Sequence, residues 1–148
     1  MTPNKVSILF VCSGNACRSP MAEGMAREIC RKRGIDAEIS SAGTLGIDGE
    51  SATANAVRVC AEIGVDISGH RSHALSRERI ERFDKVFGME NAHIQEVRRL
   101  APDFSGELSL LCPGGEIEDP VMQNMDFYRT TRNRIAECLE EFFDREFS

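Results

Sequence analysis

Five of the six residues in Val6–Val11 (VSILFV) are apolar, and three of them are β-branched. A strand with one face in water alternates apolar and polar residues. This run does not, so it predicts a strand buried on both faces, inside a parallel sheet with helices on either side. The apolar stretch is too short to cross a membrane. It also starts too early, and without a basic leader, to be a secretory signal.

Helices and strands alternate from there. Ser19-Pro20 predicts an N-cap followed by proline at the first helical position. Met21, Met25 and Ile29, with Ala22 and Ala26, mark one apolar face of a helix that reaches Lys32 or Arg33 and is closed by Gly34. Ile35–Ala42 predicts a second strand. Thr53–Ile63 predicts a second helix, with Ala56, Val57, Cys60 and Ile63 inward and Gly64 as its stop. Ser76 is expected to cap a short helix over Arg77–Arg82. Lys85–Phe87 reads as a strand, Glu90–Leu100 as a helix ending before Pro102, and Leu108–Cys112 as a fourth strand. Pro113–Pro120 is a loop, and Phe127–Phe143 a last helix burying Ile135, Leu139 and Phe142. This order predicts an α/β fold over residues 1–148: a single-domain three-layer sandwich with a four-stranded parallel sheet. Ligands of such sheets bind beyond the carboxyl ends of the strands, where the loop after Cys12 begins.

With 148 residues the chain suits one domain and needs no disulfide or metal to fold. Net charge is −6, from 18 Lys+Arg against 24 Asp+Glu, which argues against a protein that coats nucleic acid or an anionic membrane. The expected address is the cytoplasm. There, six cysteines are core residues or reactive thiols. Cys30, Cys60, Cys112 and Cys138 fall at apolar positions and are expected in the core.

Cys12 and Arg18 enclose five residues in a C-x5-R pattern that joins a strand end to a helix start. In that setting the backbone N–H groups of Ser13, Gly14, Asn15, Ala16 and Cys17 can converge on one anion, helped by the helix N-terminus. Gly14 and Asn15 tolerate the backbone angles of a tight curl. Arg18 offers a planar fork for two phosphate oxygens. A field that attracts phosphate also favours a thiolate over a thiol, so Cys12 is expected to be nucleophilic. Taken alone, C-x5-R fits an ordinary turn with a buried cysteine equally well. The upstream strand, the Gly-Asn pair and the Ser-Pro start together favour phosphoryl transfer. Asp119-Pro120 is a common turn pair. His73 and His93 share no ligand spacing with each other or with the cysteines, so no metal is expected.

The segment Val11-Cys12-Ser13-Gly14-Asn15-Ala16-Cys17-Arg18-Ser19-Pro20-Met21-Ala22-Glu23 resembles the signature of the low-molecular-weight protein tyrosine phosphatase family. Ser40-Ser41-Ala42-Gly43-Thr44, the loop Gly64–Ser72 with His70, and Asp119-Pro120 are similar to further motifs of that family. The resemblance covers essentially the whole chain. It implies a flavodoxin-like topology and a protein-tyrosine-phosphatase that hydrolyses phosphomonoesters through a phosphocysteine. Cys12 would attack phosphorus, Arg18 and the loop amides would hold its oxygens, and Asp119 would serve as acid and then base. Asn15, Ser19, Ser41 and His70 would form the supporting network. Cys17 would be a second thiol able to trap oxidised Cys12 as a disulfide. The implied partners are a phosphorylated protein and, as product, inorganic phosphate. Nucleic acid, membrane and cofactor are not implied, and the chain would be a monomer or weak dimer.

The chain also departs from that family. Val121 and Met122 follow Asp119-Pro120 where the family usually places an aromatic residue, and Leu45, Gly46 and Ile47 stand on the opposite wall. The expected substrate pocket is therefore Ala16, Ile47, Val121 and Met122, with thin walls for an aromatic ring. Ala16 replaces the bulky aliphatic residue of the tyrosine enzymes and the threonine of the related protein-arginine phosphatases, which leaves phosphoarginine as the alternative substrate. Glu90 follows Met89 where the family tends to have Asp. A thioredoxin-coupled arsenate reductase is disfavoured, because Ser76–Leu100 contains no cysteine for its redox pair. A non-catalytic phosphate-binding module needs neither Cys12 nor Asp119, and a redox sensor would use Cys12 with Cys17.

Overall fold

The central strand β1 (Val6–Cys12) is buried along its whole length, and both of its faces are covered. The computed structural model describes residues 5–147. In chain order the remaining elements are α1 (Arg18–Arg33), β2 (Ala37–Gly43), α2 (Ala54–Ala61), α3 (Arg77–Glu81), β3 (Lys85–Gly88), α4 (Asn91–Leu100), β4 (Glu107–Leu110) and α5 (Met125–Phe147). The sheet has four parallel strands in the order β2-β1-β3-β4.

The alternation of side chains along β1 sorts the core into two layers. Ile8 and Phe10 pack with Met21, Met25 and Ala26 of α1 and with Ile135, Leu139 and Phe143 of α5. Leu9 and Val11 face the other way, toward Ile80, Phe83 and Val97. Ser7, the polar residue in this run, is tolerated because its Oγ accepts the Asp84 N–H at 2.8 Å.

Several boundaries differ from the sequence expectation. α1 begins at Arg18 with Cys17 as its N-cap, so Ser19 lies inside the first turn. Its hydroxyl is drawn to the loop instead of capping the helix. Pro20 is still accommodated, because first-turn N–H groups have no helical partner. Thr53 and Ser76 cap α2 and α3 through their hydroxyls. α2 stops at Ala61, two residues before Ile63, and the chain turns at Gly64, so Ile63 is exposed. β4 ends at Leu110 because its partner β3 ends at Gly88.

Cys112 and Cys138, expected as separate core thiols, form a disulfide. Cys112 follows β4 and Cys138 lies on α5, which packs over the same layer. Their Cα atoms are 5.4 Å apart, well within reach of a bridge. Neither spacing nor periodicity signals a pairing across 26 residues. Cys30 and Cys60 are free buried thiols, which burial pushes up to about 11 and about 12.

The carboxyl ends of all four strands, at Cys12, Gly43, Gly88 and Leu110, share one edge of the sheet. The loops leaving that edge build the site.

Candidate active site

Residues 13–17 curl from the end of β1 to the start of α1. Asn15 takes the left-handed conformation, φ 55°, which Asn adopts more readily than most residues. Gly43 stands opposite Cys12 in the sheet register. A Cβ there would lie 2.7 Å from the Ser13 carbonyl oxygen and 2.9 Å from the Asn15 nitrogen, so only glycine lets β2 come this close to the loop.

The loop is held from behind through Asn15, which is fully buried. Its Nδ2 donates to Ser19 Oγ at 2.7 Å and to Ser41 Oγ at 2.9 Å. Its Oδ1 accepts the His73 N–H, and its backbone carbonyl accepts His70 Nε2–H, both at 2.8 Å. Burial lowers the His70 pKa, so the neutral ring donates from Nε2. Ser41 in turn donates to Glu23 Oε1. With the amide supplying one hydrogen to Ser19 Oγ, the Ser19 hydroxyl is free to donate to Cys12 Sγ, 2.9 Å away. Asn15, Ser19, Ser41 and His70 thus lie in one connected network behind Cys12.

Arg18 is 1% exposed. Its Nη1 donates to Glu90 Oε2 at 2.5 Å and to the Ile117 carbonyl at 2.7 Å. Nη2 is 3.5 Å from both Ser13 Oγ and Asp119 Oδ2. One edge of the guanidinium is therefore anchored while the other faces Cys12's side of the site. Asp119 Oδ1 accepts the Val121 N–H at 3.1 Å, a local turn that fixes the carboxyl at the mouth of the site.

Cys12, Arg18 and Asp119 line one cavity of about 130 Å3, with Ser13, Gly14, Ala16 and Cys17 beneath and Leu45 and Val121 as walls. Two expected pocket residues fall outside it. Ile47 is replaced on the wall by Leu45, because the tight turn around Gly46 (φ 75°) directs the chain away after Leu45. Met122 is 94% exposed and does not line the cavity. A larger groove of about 720 Å3, between α1 and the loop 64–73, reaches the back of His70 and is lined by no cysteine, serine or threonine.

Cys17 Sγ lies 3.4 Å from Thr53 Oγ1 and 3.5 Å from Tyr128 OH. Burial raises its pKa, and burial with the Cys17 contact pushes Tyr128 up to about 12. The thiol is thus held toward α2 and α5. Sequence reasoning gave no role at the site to Glu90, His93, Thr53 and Tyr128. His93 Nε2 is 2.9 Å from Ser13 Oγ, and burial beside Arg18 pushes the ring down to about 4. The Glu90-x-x-His93 spacing at a helix start, directly after a strand, was the available signal. It places both residues at the sheet edge where ligands bind.

Residues 7–146 match the family described as low molecular weight phosphotyrosine protein phosphatase. The low molecular weight protein-tyrosine-phosphatase Etp of Escherichia coli is 33% identical over 142 residues, covering 94% of this chain and 93% of that protein. A protein-arginine-phosphatase of Bacillus subtilis is 30% identical over 141 residues, covering 92% and 93%. Among solved structures, a low molecular weight protein tyrosine phosphatase from T. tengcongensis superposes with a TM-score of 0.90 at 31% identity, covering 95% and 99%. A YwlE arginine phosphatase, a cysteine-to-serine mutant with a phosphorylated active site serine, superposes with a TM-score of 0.89 at 30% identity, covering 94% of each chain.

Proposed function

The chain belongs to the low molecular weight phosphotyrosine protein phosphatase family, and we propose that it is a protein-tyrosine-phosphatase working through a phosphocysteine on Cys12. The observation that carries this is the meeting of a thiol, a buried guanidinium and a carboxyl in one small cavity. The phosphorylated serine of the arginine phosphatase lends support to a covalent intermediate at the equivalent position.

In the first step Cys12 Sγ attacks phosphorus in line. The S–P bond forms as the ester P–O bond breaks, and the protonated Asp119 gives its proton to the departing oxygen. Arg18 Nη2 and the amides of residues 13–17 hold the other three oxygens, whose charge they are preorganised to meet. The Ser19 hydroxyl stabilises the sulfur anion, both before attack and when it leaves again. In the second step a water takes the place of the product, Asp119 accepts its proton, and the new P–O bond releases inorganic phosphate and the Cys12 thiolate. Acid quench during turnover of a radiolabelled aryl phosphate is expected to leave label on Cys12. Label on another residue, or none, overturns the proposal.

Asp119→Ala tests the acid. Phenyl phosphate, whose leaving group needs a proton, is expected to slow by about a hundredfold. p-Nitrophenyl phosphate should slow by roughly tenfold or less in bond cleavage. Equal slowing of phosphorylation, read by pre-steady-state burst, removes Asp119 from the role.

Phosphoarginine is the second substrate reading. The aliphatic Leu45 and Val121 walls favour it, since neither offers a stacking face for a phenol ring, while Ala16 discriminates only weakly between the two. Phosphotyrosine and phosphoarginine peptides assayed side by side decide between them. Ala16→Ile is expected to raise the tyrosine preference, and Ala16→Thr the arginine preference. An unchanged ratio in both variants rejects this account of selectivity.

The same proposal includes a single domain acting as a monomer or weak dimer on phosphorylated proteins, because one chain supplies every group described in the site. A cytoplasmic location fits the four free thiols, Cys12 among them. The Cys112–Cys138 bond pulls the other way, since disulfides persist in oxidising compartments. Among the described residues no helix is long and apolar enough to cross a membrane.

A further inference from the structure

Ser13 and His93 form a pair that the steps above leave unused. His93 Nδ1 accepts the Glu90 backbone N–H at 3.0 Å. The neutral imidazole has a single proton, which must therefore sit on Nε2. Burial, with Arg18 close by, keeps the ring neutral at pH 7. The 2.9 Å bond between His93 Nε2 and Ser13 Oγ thus runs from ring to hydroxyl. Arg18 Nη2 approaches the same oxygen at 3.5 Å. Ser13 Oγ thus accepts from two donors, which leaves its one hydrogen for a third partner. Ser13 lines the cavity together with Cys12, Arg18 and Asp119.

We propose that Ser13 is a catalytic residue whose hydroxyl donates to a phosphoryl oxygen bound in this cavity, and that His93 is the positioning residue that keeps it a donor. The proposal deepens the phosphatase reading of the same site and rests on it. It adds a side-chain donor to the loop amides on the side of the cavity nearest Arg18 Nη2 and Asp119. A serine free to rotate would divide its time between accepting and donating. One that already accepts from His93 and Arg18 is ordered before the phosphoryl group arrives.

The test uses the full chain, p-nitrophenyl phosphate as substrate and orthovanadate as a probe of transition-state geometry. Ser13→Ala is expected to lower kcat/KM by about tenfold to a hundredfold and to weaken vanadate inhibition in parallel. Ser13→Thr, which keeps the hydroxyl, restores most of both. His93→Ala loses a similar factor. The Ser13→Ala/His93→Ala double variant loses no more than Ser13→Ala alone, because His93 acts through that hydroxyl. Losses that multiply in the double variant mean that His93 has a separate structural role and overturn its part of the proposal. NMR of the His93 ring in the unaltered protein reads the tautomer without any substitution, and a proton on Nδ1 overturns the donor argument. Wild-type turnover and vanadate affinity in Ser13→Ala overturn it as well. Absence of turnover in the unaltered protein would instead count against the phosphatase reading itself.

Discussion

Cys12→Ser is expected to abolish hydrolysis of p-nitrophenyl phosphate, lowering kcat by at least about 10^4-fold, while the protein stays folded and still binds phosphate. The hydroxyl is close in size to the thiol, and the partner at 2.9 Å, Ser19 Oγ, can bond to either. Nothing in the packing of β1 against α1 or α5 depends on sulfur. What disappears is the nucleophile: an alcohol is far less acidic and less nucleophilic than a thiol. The proposed anion cradle, built from backbone N–H groups and Arg18, is left unaltered by this substitution. Steady-state kinetics and phosphate titration by calorimetry separate the two effects. Turnover that survives this substitution would put the nucleophile elsewhere.

Arg18→Lys is expected to lower kcat/KM by about 10^3-fold, and to cost stability as well. The guanidinium does two jobs with two nitrogens. Nη1 satisfies the Glu90 carboxylate and the Ile117 carbonyl, and Nη2 faces the cavity. A lysine ammonium is a single point charge and cannot hold both sides of that arrangement. If it stays with Glu90, the phosphoryl oxygens lose their charged donor. If it turns to the phosphate, the buried Ile117 carbonyl loses its Arg18 donor, at a cost of about 1–3 kcal/mol. Kinetics with a vanadate titration read the first loss, and chemical denaturation reads the second. A lysine variant within tenfold of the parent would show that charge alone, without the fork, suffices.

Much of this architecture was legible because it rests on local rules. VSILFV lacks alternation and became the central, doubly covered strand. Ser76 is a cap residue in a cap position. Cys12 and Arg18 were singled out from one loop and Asp119 by the family resemblance, and the fold places all three on one cavity. The unread parts depend on contacts distant in sequence. Ser19 reads as a cap but is claimed by Cys12 and Asn15, an instance of tertiary bonding overriding a local preference. Glu90 and His93 look like an ordinary helix start, and only the β1–β3 pairing brings them beside Ser13 and Arg18. Leu45 and Ile47 differ by one turn of backbone around Gly46, which no side-chain pattern reports. The Cys112–Cys138 bond requires knowing that α5 crosses behind β4.

Asn15 has both amide hydrogens, its side-chain oxygen and its backbone carbonyl engaged by the protein itself. The loop's curvature is therefore held by bonds within the protein. The entropy lost in fixing it is charged to folding, and association with phosphate carries little further ordering cost. A consequence is that encounter should proceed close to rigid-body docking, and that mutations loosening Asn15's anchors should weaken affinity for small anions chiefly through entropy, with little change in binding enthalpy.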